Sequence, residues 1–276
     1  SSESEVTSKM TEKSRPLLSG APWAAREAKP RQRGINYVRG PAVLGGYLND
    51  FIGCYAEHID ILKLSGHQVT FSSPESISKA IKICHSNSIK VAVGNPPMDV
   101  ALSGGWGVTC GFLDELLARG IDYVEISCIA RAIDDGDLEK VILAAKQRNI
   151  DVIIEVGVEF AHSQSEDGNL FIERRIQQAK LALQAGAKMI LVESEGLTEN
   201  RNGQAYRWDV IDRIASNFPT EQLMFEADDQ DVLSRYIDVF GPKSNLMVDH
   251  TKVEKLEAAR RGFGPSQSLW GKVVTV

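Results

Sequence analysis

No apolar run in this 276-residue chain approaches the roughly 20 residues needed to cross a bilayer, which argues against a membrane protein. The N-terminus shows no basic segment followed by an apolar core, so a secretory signal is not expected. There is no CxxC pair. Cys54, Cys84, Cys110 and Cys128 are scattered without a nearby paired histidine, which fits reduced thiols in a cytoplasmic protein better than a disulfide or zinc framework. Basic residues are not in excess either. With 31 Lys and Arg against 37 Asp and Glu, the net charge is -6, so nucleic acid and anionic membranes are poor partners. Length and composition leave a homo-oligomer open.

What the chain does have is a carboxylate at one place in a recurring pattern. Tyr123-Val124-Glu125, Ile153-Ile154-Glu155, Leu191-Val192-Glu193 and Met224-Phe225-Glu226 are short apolar runs that each close on a glutamate, about 30 to 38 residues apart. A fifth run, Leu246-Met247-Val248, closes on Asp249. Taking a carboxylate out of water costs several kcal/mol. Recurrence at equivalent strand ends therefore points to one shared polar site.

From Gly34 onward strands alternate with helices. The strands are expected at 35–39, 59–64, 89–94, 122–127, 151–156, 188–193, 222–226 and 245–249. Helices are expected at 44–57, 74–88, 111–119, 135–148, 171–185, 207–217, 229–240 and 252–261. Ser73-Pro74 supplies a helix start, and Gly120, Gly186 and Gly241 supply stops. Eight βα units in about 240 residues fit a single (β/α)8 TIM barrel. An open doubly wound sheet is the rival, but the first βα turn carries no GxGxxG fingerprint. The expected division is a mobile N-terminal arm over 1–30, with Trp23 docking on the domain, and the barrel over 31–276. Period-two alternation would turn Lys63, Glu125, Ser127, Glu155, Glu193, Glu226 and Asp249 toward the C-terminal mouth, where barrel enzymes keep their active sites. Long connections at 94–110, 157–170 and 194–207 would suit covers over that mouth or ornamental loops.

Converging carboxylates raise one another's pKa, so a cation must neutralise them or some must stay protonated. Two readings stand. Glu155, Glu193 and Glu226 hold Mg2+, which favours oxygen ligands, or they form structural ion pairs with Lys63 or Arg39. Catalytic candidates are Lys63, Glu125 and Glu155. Substrate-binding candidates are Arg39, Ser127, and Arg260 with Arg261, the last two placed on a phosphate by the loop after strand 8 or else capping a helix end. His250 is a candidate acid or base, or simply a hydrogen-bonded strand-end residue.

In order, Lys29-Pro30-Arg31-x-x-Gly34, Leu62-Lys63-Leu64-Ser65-Gly66, Val124-Glu125-Ile126-Ser127, Glu155-Val156-Gly157, Met224-Phe225-Glu226-Ala227 and Arg260-Arg261-Gly262 followed by Trp270-Gly271-Lys272 resemble the phosphosulfolactate synthase family. The resemblance runs from about residue 29 to the end. It implies a (β/α)8 barrel that uses Mg2+ to add sulfite to phosphoenolpyruvate, a carbon-sulfur lyase reaction of coenzyme M biosynthesis. The family also includes plant heat-stress-associated proteins, and Tyr37-Val38-Arg39-Gly40-Pro41 and Leu246-x-Val248-Asp249-His250 are more similar to that branch. The chain also departs from the synthases. They have an Asp-Lys pair at Gly40-Pro41, lysines at Val158-Glu159, an Asp at Cys128 and Gly-Gly-Thr at Gly94-Asn95-Pro96. Losing cations at the mouth weakens the hold on two anionic reactants. The resemblance thus implies either a lyase-like enzyme with a small anionic substrate and a diverged reaction, or a non-catalytic stress protein acting through a protein partner.

Overall fold

The computed structural model describes residues 16–23, 26–159, 171–264 and 266. Eight parallel strands close into a barrel in chain order: β1 (Asn36–Arg39), β2 (Ile61–Leu64), β3 (Lys90–Val93), β4 (Tyr123–Ser127), β5 (Asp151–Val156), β6 (Met189–Val192), β7 (Leu223–Glu226) and β8 (Asn245–Asp249). Closure is made by β8 against β1, where Tyr37 faces Met247 and Arg39 faces Asp249. The helices between them are α1 (Gly46–Tyr55), α2 (Gly66–Phe71), α3 (Pro74–Ser86), α4 (Pro96–Ser103), α5 (Trp106–Arg119), α6 (Asp135–Gln147), α7 (Ile172–Ala185), α8 (Trp208–Ala215), α9 (Gln230–Phe240) and α10 (Val253–Arg260). The fold is a (β/α)8 TIM barrel.

Local chemistry accounts for the joints. Ser65 opens α2 with a capping box to Gln68, and the Asp134 and Asp229 carboxylates accept backbone N–H groups at the starts of α6 and α9. Gly120 (φ 77°) and Gly186 (φ 105°) end α5 and α7 in the left-handed region, which a side chain at Cβ disfavours.

The connection at 94–110 is not an irregular lid. It folds as α4, then a break at Gly104-Gly105, then the first turn of α5. Pro96 and Pro97 occupy the first turn of α4, where a missing N–H costs nothing, and Gly105 (φ 90°) turns the chain into α5. The prolines and glycines of this connection mark helix boundaries. Of the connection at 157–170, residues 160–170 lie outside the described residues.

Two cores follow from the strand alternation. Inside the barrel, Tyr37, Ile61, Ala92, Ile153, Leu191, Met224 and Met247 pack together, with Tyr123 against them. Their alternates, including Val38, Leu62, Val124, Ile154, Val192 and Phe225, face the helices in a much larger cluster. Phe225 stacks on Tyr236 and Phe240 of α9, with ring centroids 4.5 and 4.7 Å away.

Of the stretch 1–30, residues 1–15, 24 and 25 lie outside the described residues. Trp23 packs edge-on against Phe263 at 5.8 Å. Residues 26–31 are fastened across the base of the barrel: Arg26 pairs with Glu257 at 3.1 Å and Arg31 with Asp60 at 2.8 Å.

Emptying the aromatic stack is expected to cost about 3–5 kcal/mol, the range for a buried Phe→Ala change. Urea unfolding of Phe225→Ala measures this directly. Val239→Ser, at an exposed position on α9, should change stability by less than about 0.5 kcal/mol.

Candidate functional site

At the C-terminal ends of the strands, two side-chain cations stand among buried carboxylates. Lys63 on β2 and Glu125 on β4 point inward across β3, and Nζ lies 2.8 Å from Glu125 Oε2. The other Glu125 oxygen accepts from the Tyr37 hydroxyl at 2.6 Å. Glu125 and Tyr37 are fully buried. Burial disfavours the lysine ammonium, but Glu125, Glu155 and Glu226 outweigh it and hold Lys63 charged, above its ordinary value. Burial and the neighbouring Glu125 raise the Tyr37 phenol, so it stays protonated as the donor.

The opposite wall is organised by Arg39. Its guanidinium bridges Glu226, at a short contact, and Asp228, at 2.6 Å, while Asp228 also accepts from the Asp249 backbone N–H at 2.8 Å. Glu193 meets Glu226 side chain to side chain. Burial and Glu226 push Glu193 well above the usual carboxylate range. Burial works the same way on Glu226, but the Glu193 hydrogen bond, Arg39 and Lys63 bring it below that range. One proton held by Glu193 therefore serves both groups. The Ser194 N–H donates to Glu193 at 3.2 Å and to Glu226 at 3.4 Å.

Glu155 sits between these walls with no arginine or lysine of its own among the described residues. Its Oε1 accepts from the Ser127 hydroxyl at 3.0 Å. Burial, then Glu125, pushes its pKa up to about 8 against the pull of Lys63. Ser127, expected to bind substrate, is occupied otherwise: its oxygen also accepts from Ile129 and Ala130 N–H at 3.1 and 2.9 Å. That hydroxyl builds the turn after β4 and positions Glu155 instead of facing a ligand.

Arg260 and Arg261 are corrections. α10 returns from the mouth, so its C-terminus lies at the opposite end of the barrel. Arg260 is buried there, donating to Asn36 Oδ1 (3.0 Å), Pro242 O (2.6 Å) and Ser244 O (2.7 Å). Arg261 stands 3.6 Å from Glu257. Neither reaches the mouth, so neither can hold a phosphate in it. His250 also stays outside the cluster, 3.1 Å from the Tyr47 hydroxyl, and Asp249 caps the short turn at Thr251. Sequence reasoning missed Tyr37 and Asp228. Tyr37 shares the inward parity of Arg39, and Asp228 follows Glu226 by two residues; both signals were present.

The model of the (2R)-phospho-3-sulfolactate synthase (ComA) family matches residues 24–264. The chain belongs to this family. Protein HEAT-STRESS-ASSOCIATED 32 of Arabidopsis thaliana is 24% identical over 255 residues, which cover 85% of this chain and 88% of that protein. Among solved structures, 3-hexulose-6-phosphate synthase from Salmonella typhimurium superposes with a TM-score of 0.59 at 12% identity, over 83% of this chain and 100% of that one. Orotidine 5'-phosphate decarboxylase from Pyrococcus horikoshii OT3 gives 0.52 at 11% identity, over 81% and 95%. At such identities the structural likeness shows the barrel and nothing more.

Membership in the synthase family raises the question of Mg2+. The donors are hard oxygens of the kind Mg2+ takes. Their arrangement does not fit a three-carboxylate clasp: Glu226 is held by Arg39 and Glu155 turns to Ser127. Among the described residues, no group of three His, Cys, Asp or Glu side chains converges on a common metal position.

The raised Glu155 has a thermodynamic consequence. Unfolded, it ionises near 4.5; folded, near 8. Between those values the native state binds the extra proton, so stability falls as pH rises through the window and levels off above it. Glu155→Gln should remove this slope, gaining stability over the parent at pH 9 and little at pH 5. Urea unfolding at both pH values checks it, and an unchanged slope would refute it.

Proposed function

We propose that the mouth binds a small anionic enol such as phosphoenolpyruvate and adds a nucleophile such as sulfite to it, in a lyase-like reaction of the synthase family. The observation that carries this reading is the Tyr37–Glu125–Lys63 chain: a lysine kept charged and aimed by a fully buried acid, beside a neighbouring carboxyl that is neutral through much of the physiological range.

The chemistry would use each group once. Lys63 meets the substrate carboxylate, and Arg39, exposed on one side, meets a second anionic oxygen. The sulfite lone pair forms a bond to the terminal carbon. The double-bond electrons move toward the carboxylate, where Lys63 stabilises the developing charge. Protonated Glu155 then delivers its proton to the adjacent carbon, and solvent returns one. Mg2+, where bound together with substrate, would supply further charge neutralisation.

A second reading has its own support. Both cations are already engaged by carboxylates within the chain, and the plant relative is named for heat stress. In that reading the barrel is a scaffold that acts through a protein partner.

Calorimetry with phosphoenolpyruvate, with and without Mg2+, separates the two. The enzyme reading expects saturable heat that falls at least about tenfold in affinity for Lys63→Gln, roughly 1.4 kcal/mol. Lys79→Gln, on the exposed face of α3, should leave it unchanged. No heat under any of these conditions favours the scaffold. If binding is found, product formation from phosphoenolpyruvate and sulfite tests the reaction itself.

A further inference from the structure

The other end of the barrel carries a hollow. A cavity of about 560 Å³ opens beneath β2 to β6, within the range of small-molecule sites. Its apolar surface is the underside of the inner core, made by Ile35, Ile61, Ile153 and Met189, with Tyr123 beside them. Its rim bears four cations, Lys29, Arg31, Lys90 and Lys188, against only Asp60 and Asp122.

The two carboxylates are already committed. Asp60 accepts from Arg31 at 2.8 Å and from the Asn36 N–H at 2.8 Å. Asp122 accepts from Lys90 at 2.9 Å, from the Val91 N–H at 2.8 Å and meets His85 at 2.8 Å. Lys29 and Lys188 are left without an ion pair among the described residues. Lys29 is nevertheless held in place: it donates to the carbonyls of Ala56 and Asn87 at 2.9 and 3.2 Å, which leaves the third ammonium N–H for a ligand. The strap carrying it is anchored by Arg31, so the site is formed before anything binds.

We propose that this basal hollow binds a small amphiphilic anion, its apolar body on the barrel's underside and its anionic head on Lys29, within the field of Lys188. This site is independent of the acidic mouth. An apolar body without charge leaves Lys29 unsatisfied, and a bare anion leaves the hydrophobic floor wet, so the two parts act together. Carboxylate and phosphate heads share the required oxygens.

Calorimetric titration with benzoate, phenyl phosphate and inorganic phosphate tests the assignment, the first two deciding which head is preferred. At least one amphiphile should bind, and inorganic phosphate should bind at least about tenfold more weakly. Lys29→Gln should weaken the amphiphile at least about tenfold. Lys188→Glu, at an exposed position where folding is not at risk, should weaken it several-fold, and Lys63→Gln at the mouth should leave it unchanged. The proposal is overturned if neither amphiphile binds, if inorganic phosphate binds as well as they do, if binding survives both basal substitutions, or if Lys63→Gln abolishes it.

Discussion

Repulsion between carboxylates in a place that water hardly reaches governs the whole C-terminal end of this barrel. Two like charges 4 Å apart repel by about 4 kcal/mol at an effective dielectric constant near 20. Strand parity puts Glu125, Glu155 and Glu226 into one buried neighbourhood, and the end of β6 adds Glu193. Three remedies are used together. Lys63 neutralises Glu125, Arg39 bridges Glu226 and Asp228 with one positive charge, and Glu193 and Glu155 favour their protonated forms. Tyr37 completes the arrangement by giving Glu125 a neutral donor on its remaining oxygen. Removing either cation would leave buried charge uncompensated, which is costlier than the pair is worth. The ion pairs therefore both stabilise the mouth and restrict what can enter it.

The base solves the opposite problem. Arg26, Arg31, Arg260 and Arg261 crowd around Glu257 and Asp60, and Arg260 is pushed down to about 9 by burial and then by Arg26. Backbone carbonyls at the entrances to β1 and β8 take up much of its donor capacity. A guanidinium suits this duty because its planar fork can reach several acceptors at once. The same fork near a phosphate would look identical in sequence, and this is why Arg260 and Arg261 were readable as a phosphate site. Helix length decides between the two: an eight-residue α10 leaving the mouth ends about 12 Å away, at 1.5 Å per residue, near the floor.

That example shows what the chain order makes legible and what it hides. Apolar runs ending in acids were sufficient for the barrel and the shared mouth, with strand limits read to within one or two residues, because burial on both faces confines charge to positions near the strand ends. Glu125, Glu155, Glu193, Glu226, Lys63 and Arg39 could all be gathered on that ground. Which partner each chose was not readable, since it depends on side-chain reach across the barrel. Lys63 passes over β3 to Glu125, and Arg39 selects Glu226 with Asp228 ahead of its register partner Asp249. Ser127 misled for a related reason. A serine at a strand end serves a turn as readily as a ligand, and only the positions of the Ile129 and Ala130 N–H groups distinguish these uses.

The departures from the synthase pattern take on physical meaning at the same place. Glu159 stands in the segment after β5 where the synthases have lysines, and it pairs with Arg175 of α7. Cys128, replacing an aspartate, contributes its backbone carbonyl to the same arginine and keeps its thiol buried, pushed up to about 12 by burial. Gln178 ties the loop after β4 to α7 as well, donating to the Ile133 carbonyl at 2.9 Å. Arg175 thus ties the Glu159 side chain and the Cys128 backbone carbonyl to α7, which draws both into the frame of the barrel. The mouth keeps Lys63 and Arg39 as its central cations, each already paired with carboxylates of the barrel.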